Sequence, residues 1–113
     1  MFSLDLSSAY WWPVKFKVPS ENGLDLVDMS FDGQFKRMTT QQVEEMFRRA
    51  GVDRVADSEL AREVMVGWRE VVGRSGAISF SPEAFGQLLA VPGAGSAIMR
   101  SFFESISKGA EKN

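Results

Sequence analysis

Hydrophobic residues alternate with polar or charged residues in two neighbouring segments near the amino terminus. The alternating hydrophobic positions are Val14, Phe16, Val18, Val27, Met29 and Phe31. Such alternation is typical of strands that bury one face. Residues 21–23, Glu-Asn-Gly, lie between the two segments, and Asn and Gly readily adopt the positive φ of tight turns. The pattern predicts a β-hairpin over roughly residues 13–36, with a bulge near Leu26–Val27 because Leu24 and Leu26 fall out of register.

From Thr39 onward, the hydrophobic spacing changes to the three- and four-residue intervals of amphipathic helices. Thr39 and Gln42 match a capping box, in which each side chain accepts a hydrogen bond from the other residue's backbone N–H. Gly51 is a suitable stop for this first helix. A second helix is predicted to begin at residues 57–58 and to end at Gly73.

Two further helices are predicted in the second half of the chain. Residues 81–83, Ser-Pro-Glu, combine an N-cap, a proline at the first helical position and an early acid. This third helix should end at residues 91–93, Val-Pro-Gly, and a last helix should run from Ala94 and fray near residues 108–109, while residues 77–80 form an extended connector. The side chains expected to be mostly buried are Phe47, Leu60, Val64, Trp68, Phe85, Leu89, Ile98 and Phe102.

One hairpin followed by a bundle of about four helices predicts an α+β fold. The chain has 113 residues and a mass of 12.6 kDa, which fits a single domain, with residues 1–10 as a loose lead-in and residues 109–113 as a polar tail. It is 44% hydrophobic and 25% charged, as soluble globular proteins are. No segment approaches the roughly 18 apolar residues of a membrane span, and no signal peptide is recognisable, so we expect a cytoplasmic protein.

The chain contains no histidine and no cysteine, which excludes zinc sites of Cys and His, disulfides, thiol nucleophiles and Ser-His-Asp triads. The net charge is −2 and the pI about 5.1, without a basic patch that would favour nucleic acid. Residues 93–96, Gly-Ala-Gly-Ser, open a helix but lack a Walker lysine, and a flexible helix start is the favoured interpretation over an anion site. We expect no catalytic residues and no cofactor.

Two clusters of charged residues are interpreted as surface features rather than as catalytic or metal sites. Residues 44–45 and 48–49, Glu-Glu and Arg-Arg, are spaced as a solvated, ion-paired helix face. Asp25, Asp28 and Asp32 are not part of an EF-hand loop, and we expect no metal there.

The aromatic residues near the hairpin are the best candidates for binding a partner. Trp11 and Trp12 precede Pro13 and could form either an exposed platform or a plug that packs the hairpin onto the helices. The candidate partner-binding residues are Trp11, Trp12, Phe16, Phe31, Lys36 and Arg37, with Lys15 and Lys17 adding to the cationic rim. Met99 and Phe103 on the last helix are a competing candidate surface. The open strand edges also predict self-association.

The order of several short motifs resembles the tail assembly chaperones of long, non-contractile-tailed bacteriophages and of related prophages. The resemblance covers roughly residues 10–113. The motifs that carry it are Trp12-Pro13-Val14, the Phe31-Asp32-Gly33-Gln34-Phe35-Lys36-Arg37-Met38 segment before the capped helix, Val66-Gly67-Trp68, Ile78-Ser79-Phe80-Ser81 and Pro92-Gly93.

The resemblance implies a non-enzymatic assembly factor of the infected bacterium's cytoplasm that is absent from the finished virion. Such chaperones are thought to coat the helical tape measure protein until tail tube subunits polymerise around it. Many also exist as a longer, frameshifted form that contacts the tail tube protein, and this chain would correspond to the short form. Two alternatives are a small helical DNA-binding regulator, with the Arg48-Arg49 helix as its only candidate reader, and an enzyme that uses carboxylates.

Overall fold

A three-stranded antiparallel sheet and four helices make up most of the computed structural model, which describes residues 9–73 and 76–111. The strands are β1 (Tyr10–Pro19), β2 (Leu26–Phe35), β3 (Met65–Arg69), β4 (Val72–Gly73) and β5 (Gly76–Ala77). The helices are α1 (Thr40–Gly51), α2 (Asp57–Val64), α3 (Pro82–Leu89) and α4 (Ala94–Glu111). The predicted α+β class is confirmed.

Strands β1 and β2 form the predicted hairpin, paired without interruption from Tyr10 opposite Phe35 to Pro19 opposite Leu26. The bulge predicted near Leu26–Val27 is wrong, because the ladder is regular there. Leu24 lies in the turn and Leu26 on the exposed face, so neither leucine needs a register change to reach the core. The sheet's irregularity lies instead at Gln34/Phe35, where β2 pairs with β3.

The second helix ends at Val64, nine residues before the predicted Gly73, and the chain continues directly as β3. Residues 64–68, Val-Met-Val-Gly-Trp, are rich in β-branched and aromatic residues, which favour a strand. Gly67 within a helix would also cost about 1 kcal/mol relative to alanine. Pairing with β2 stabilises the strand over the predicted helix, because Gly33 pairs with Trp68 and Gln34 with Gly67.

Helix α4 packs against both α2 and β1. The core therefore forms between helices and sheet, and the predicted helix bundle is not confirmed. Six predicted core residues are buried: Leu60, Val64, Trp68, Phe85, Ile98 and Phe102. Leu89 is half-buried against this core.

The prediction that Phe47 is buried is wrong, because its side chain is 53% exposed. Helix α1 turns Met46 into the core and lies at the periphery of the fold. Phe47 stacks instead on Phe103 of α4, with ring centroids 4.4 Å apart. This pair covers part of the outer surface between the two helices.

The predicted N-terminal signals of α1 and α3 are confirmed. The Gln42 N–H donates to Thr39 Oγ1 at 3.2 Å, and the Thr39 N–H donates to Gln42 Oε1 at 2.9 Å, which completes the capping box. Ser81 Oγ accepts from the Ala84 N–H at 3.0 Å, with Pro82 in the first turn of α3. Ala77, the first residue of the predicted connector, lies in β5, which leads towards α3.

Candidate partner-binding surface

The β1–β2 hairpin is longer than the core that supports it. The cross-strand register assigns five residues of each strand to an inner face directed at the core, and the buried pair Val14 and Phe31 belongs to this face. One pair further from the core, Phe16 is only half-buried and Met29 is exposed. Residues 16–29, here called the hairpin tip, therefore extend past the core.

The hairpin tip carries the most exposed hydrophobic side chains of the β1–β2 hairpin. Leu24 is 81% exposed and Leu26 is 64% exposed, while Val27 and Met29 are exposed to a lesser degree. Leu26 lies on the outer face of the tip and Val27 and Met29 on its inner face, so the tip exposes apolar side chains on both faces. Exposed apolar surface of this kind commonly marks a binding site. In the sequence pattern these leucines indicated only a bulge, because alternation does not reveal where the core that covers a strand ends.

The two adjacent tryptophans point to opposite faces of the sheet, as consecutive residues of a strand must. Trp12 lies on the inner face and packs partly buried against the core, which fits the plug interpretation. Trp11 lies on the outer face and is 39% exposed, with the guanidinium of Arg69 at 4.2 Å from its ring centroid. Arg69 also donates to Asp32 at 3.0 Å, so the exposed indole is held by an ion-paired cation.

The structure does not bring the remaining candidate residues into one surface. Phe31 is a core residue, packed edge-on against Trp68 with centroids 6.2 Å apart. Lys36 is exposed just after β2, and the guanidinium of Arg37 lies 5.1 Å from the ring of Tyr10. Of the six predicted residues, only Phe16 belongs to the hairpin tip.

A groove runs along the inner side of the hairpin tip. Two cavities, of about 690 and 290 Å³, share the residues Phe16, Asp28, Met29 and Ser30. The larger cavity is bounded by Arg100 of α4, and the smaller one by Glu70 and by apolar residues between β3 and α3. The groove therefore has an apolar wall, with the cations of Lys15, Lys17 and Arg100 around the larger cavity, the carboxylate of Glu70 beside the smaller one, and Asp28 shared by both.

The competing surface on the last helix is only partly present. Met99 is buried and cannot contact a partner in the native fold, whereas Phe103 is half-buried beneath Phe47. A cleft of about 390 Å³ opens beside this pair between α1 and α4. At its base, the hydroxyls of Tyr10 and Ser105 are hydrogen-bonded at 2.8 Å, and burial raises the pKa of Tyr10.

The arginines of α1 are engaged by carboxylates. Arg48 pairs with Glu45 and, at 2.7 Å, with Asp53, while Arg49 pairs with Glu63 of α2 at 2.7 Å. The hydrogen bonds from these arginines lower the pKa of both glutamates. The predicted pairing on one helix face is confirmed only for Glu45 and Arg48, which are three residues apart, whereas Arg49 pairs with another helix.

The remaining aspartates form ion pairs, and the glycines at the start of α4 serve the turn and the packing of that helix. Asp28 lies 3.6 Å from Lys17, and Asp32 is held by Arg69. Gly93 has a φ of 89°, which favours glycine. A Cβ placed on Gly95 would lie 3.1 Å from the backbone nitrogen of Ser58, so this glycine lets α4 approach α2.

Within residues 9–73 and 76–111, no three acidic side chains are placed so that they could hold a metal ion. The helices of the same ranges include none that is long and apolar enough to cross a membrane. Comparison of the chain with family models, with curated proteins and with solved structures gives no match.

Proposed function

We propose that this protein is a non-enzymatic tail assembly chaperone that binds a tape measure protein through the hairpin tip. In this function it keeps the tape measure protein soluble until tail tube subunits polymerise around it. The observation that carries the proposal is the exposed apolar surface of the tip, with Leu24 and Leu26 at its end and Met29 on its inner side. The resemblance of the sequence to such chaperones supports the same conclusion.

The shape of the tip suits a long helical partner. An amphipathic helix presents an apolar stripe, and such stripes bind in grooves that combine apolar walls with a charged rim. The groove of the hairpin tip has Phe16 and Met29 as apolar wall, with Arg100 beside the larger cavity and Glu70 beside the smaller one. Because the hairpin projects from the core, it can contact an elongated partner without displacing the helices.

The ion pairs of α1 make the DNA-binding alternative less favourable than the chaperone. Its candidate reader is α1, and Arg48 and Arg49 are both occupied by carboxylates in the structure. A helix that reads base edges needs arginines that are available to the DNA.

The double substitution Leu26→Ser/Met29→Ser is expected to weaken binding to the tape measure protein by about tenfold or more, because it removes two exposed apolar contacts. The measurement is the amount of tape measure protein that stays soluble and copurifies when both proteins are produced together. The helix content should not change, since neither side chain supports the core. Val52→Ser is the matched control, because Val52 is 76% exposed but lies at the end of α1.

A Phe47→Ser/Phe103→Ser variant separates the two candidate surfaces. If it loses the tape measure protein while the tip variant binds normally, the binding surface is the cleft between α1 and α4. If the unmodified protein neither binds nor solubilises the tape measure protein, the proposed function is wrong.

We also propose that the protein self-associates through its exposed apolar surfaces, and that a longer form would add contacts to the tail tube protein. Repeated weak contacts along an elongated partner strengthen each other through effective concentration. Light scattering should show an average mass that rises with protein concentration. A constant monomer mass up to the millimolar range would contradict self-association.

A further inference from the structure

Strand β2 has a vacant edge along six of its ten residues. On one side it pairs with β1 over all ten residues, but on the other side β3 reaches only from Asp32 to Phe35. Within the described part of the chain, residues 26–31 have no strand partner on the β3 side. The sheet therefore has an open strand position beside residues 26–31 of β2, in line with β3. This position is here called the slot.

The hydrogen-bond pattern identifies which backbone groups face this slot. The Ser20 N–H donates to the Asp25 carbonyl at 2.9 Å, so even-numbered residues of β1 and odd-numbered residues of β2 bond each other. Pro13 and Pro19 agree with this pattern, because proline on an edge strand directs its missing N–H away from the ladder. On β2, the N–H and C=O groups of Asp28 and Ser30 must then point into the slot.

The chain leaves the sheet where the slot begins. Glu70 follows β3 with a φ of 67°, a left-handed conformation that is uncommon for residues other than glycine. This turn sends the chain into β4 and keeps it from extending along β2. The cavity of about 290 Å³ beside the slot is bounded on its apolar side by Phe16, Met29, Phe31, Val71, Val72 and Leu88.

We propose that this slot accepts an extended segment of a partner polypeptide, in which apolar residues alternate with Lys or Arg, as an added strand. Strand addition at an open sheet edge supplies main-chain hydrogen bonds, and the alternate side chains supply specificity. Apolar side chains of the segment face Met29 and Val71, while its cations lie near the carboxylates of Asp28 and Glu70.

The other edge of β2 already binds a strand of this composition. Residues 14–18, Val-Lys-Phe-Lys-Val, pair with residues 27–31, and Lys17 Nζ lies 3.6 Å from Asp28. A strand added on the vacant side would lie beside the same side chains of β2, because cross-strand neighbours on either side of a strand share its two faces. The inference rests on the backbone edge of β2, and its test needs no tape measure protein, although the slot shares Asp28, Met29 and the cavity of about 290 Å³ with the groove of the hairpin tip.

The probe is a blocked pentapeptide, Val-Lys-Phe-Lys-Val, and the measurement is amide hydrogen exchange of the full chain followed by NMR. Without peptide, the amides of Asp28 and Ser30 should exchange much faster than those of Met29 and Phe31, which bond to β1. When nine-tenths of the protein is bound, exchange at Asp28 and Ser30 should slow by about tenfold. Protection at Lys15 and Lys17 instead, or at no residue, would overturn the proposal.

Two variants and one control peptide sharpen the test. Ser30→Pro removes the N–H that faces the slot and should abolish peptide protection at Asp28, whereas Ser30→Thr keeps the N–H and should preserve it. If Ser30→Pro does not fold, Glu70→Lys replaces it and should weaken binding of the cationic peptide severalfold.

Equal binding of a Val-Glu-Phe-Glu-Val peptide would overturn the charge assignment. Slow exchange at Asp28 and Ser30 that disappears on dilution of the free protein would show that a second copy fills the slot, and would also overturn the proposal.

Discussion

Replacing Trp68 by alanine is expected to lower the free energy of unfolding by about 3–5 kcal/mol, the usual range for a large aromatic residue removed from a core. The indole joins the sheet to the second half of the chain, because it packs edge-on against Phe80 at 4.9 Å and against Phe85 at 6.1 Å. Its Nε1–H also donates to the Ile78 carbonyl at 2.8 Å. Urea denaturation should show the loss as a lower midpoint.

Two further variants separate the parts of this effect. Trp68→Phe keeps an aromatic ring but leaves the Ile78 carbonyl without its donor, so it should cost less than the alanine variant. Trp11→Ala removes an indole of equal size from the exposed face and should cost only about 1 kcal/mol, mainly its contact with Arg69. An unchanged midpoint for Trp68→Ala would contradict its placement in the core.

The local signals in the sequence predicted most of the elements because their causes are local. The hairpin follows from alternation and from the Asn-Gly turn, and α1 and α3 follow from side chains that satisfy their first backbone N–H groups. These features depend on residues within a few positions of each other, so one sequence is sufficient to recognise them.

The strand β3 was not predicted, because hydrophobic spacing and strand propensity disagree in this segment. Leu60, Val64 and Trp68 have helical spacing, and their burial is correct in either conformation. What decides against the helix is a distant partner, the edge of β2 from Asp32 to Phe35. Tertiary pairing overrides local spacing here, and the sequence contains no sign of which edge is free.

The sequence indicated the hairpin as the candidate surface but not which of its residues are exposed, because that also depends on distant parts of the chain. The hairpin was expected to carry the binding residues, and alternation alone would have placed Trp11 and Trp12 on opposite faces. The extent of the covering core depends on how far α4 lies along β1, which no local pattern expresses. Phe31 therefore proved to be core, whereas Leu24 and Leu26 proved to be the exposed residues.

The replacement of Gly95 by alanine is expected to lower the free energy of unfolding by about 1–3 kcal/mol, although alanine is the better helix former. The added Cβ would lie 3.1 Å from the nitrogen and 3.2 Å from the Cα of Ser58. These are backbone atoms of α2, which cannot move aside as a flexible side chain can. The variant must therefore separate α4 from α2 and loosen the buried contacts of Leu60 and Ile98.

Gly86→Ala provides the matched control for this prediction, since it makes the same change in another helix. A Cβ on Gly86 would meet only the end of the Arg62 side chain, at 3.5 Å, which is an ordinary contact. The control should therefore stabilise the protein by about 0.5–1 kcal/mol through helix propensity alone. Opposite shifts of the denaturation midpoint in the two variants would show that contact between α4 and α2 outweighs helix propensity at Gly95. A stabilising shift in both would mean that the two helices lie further apart than the structure places them.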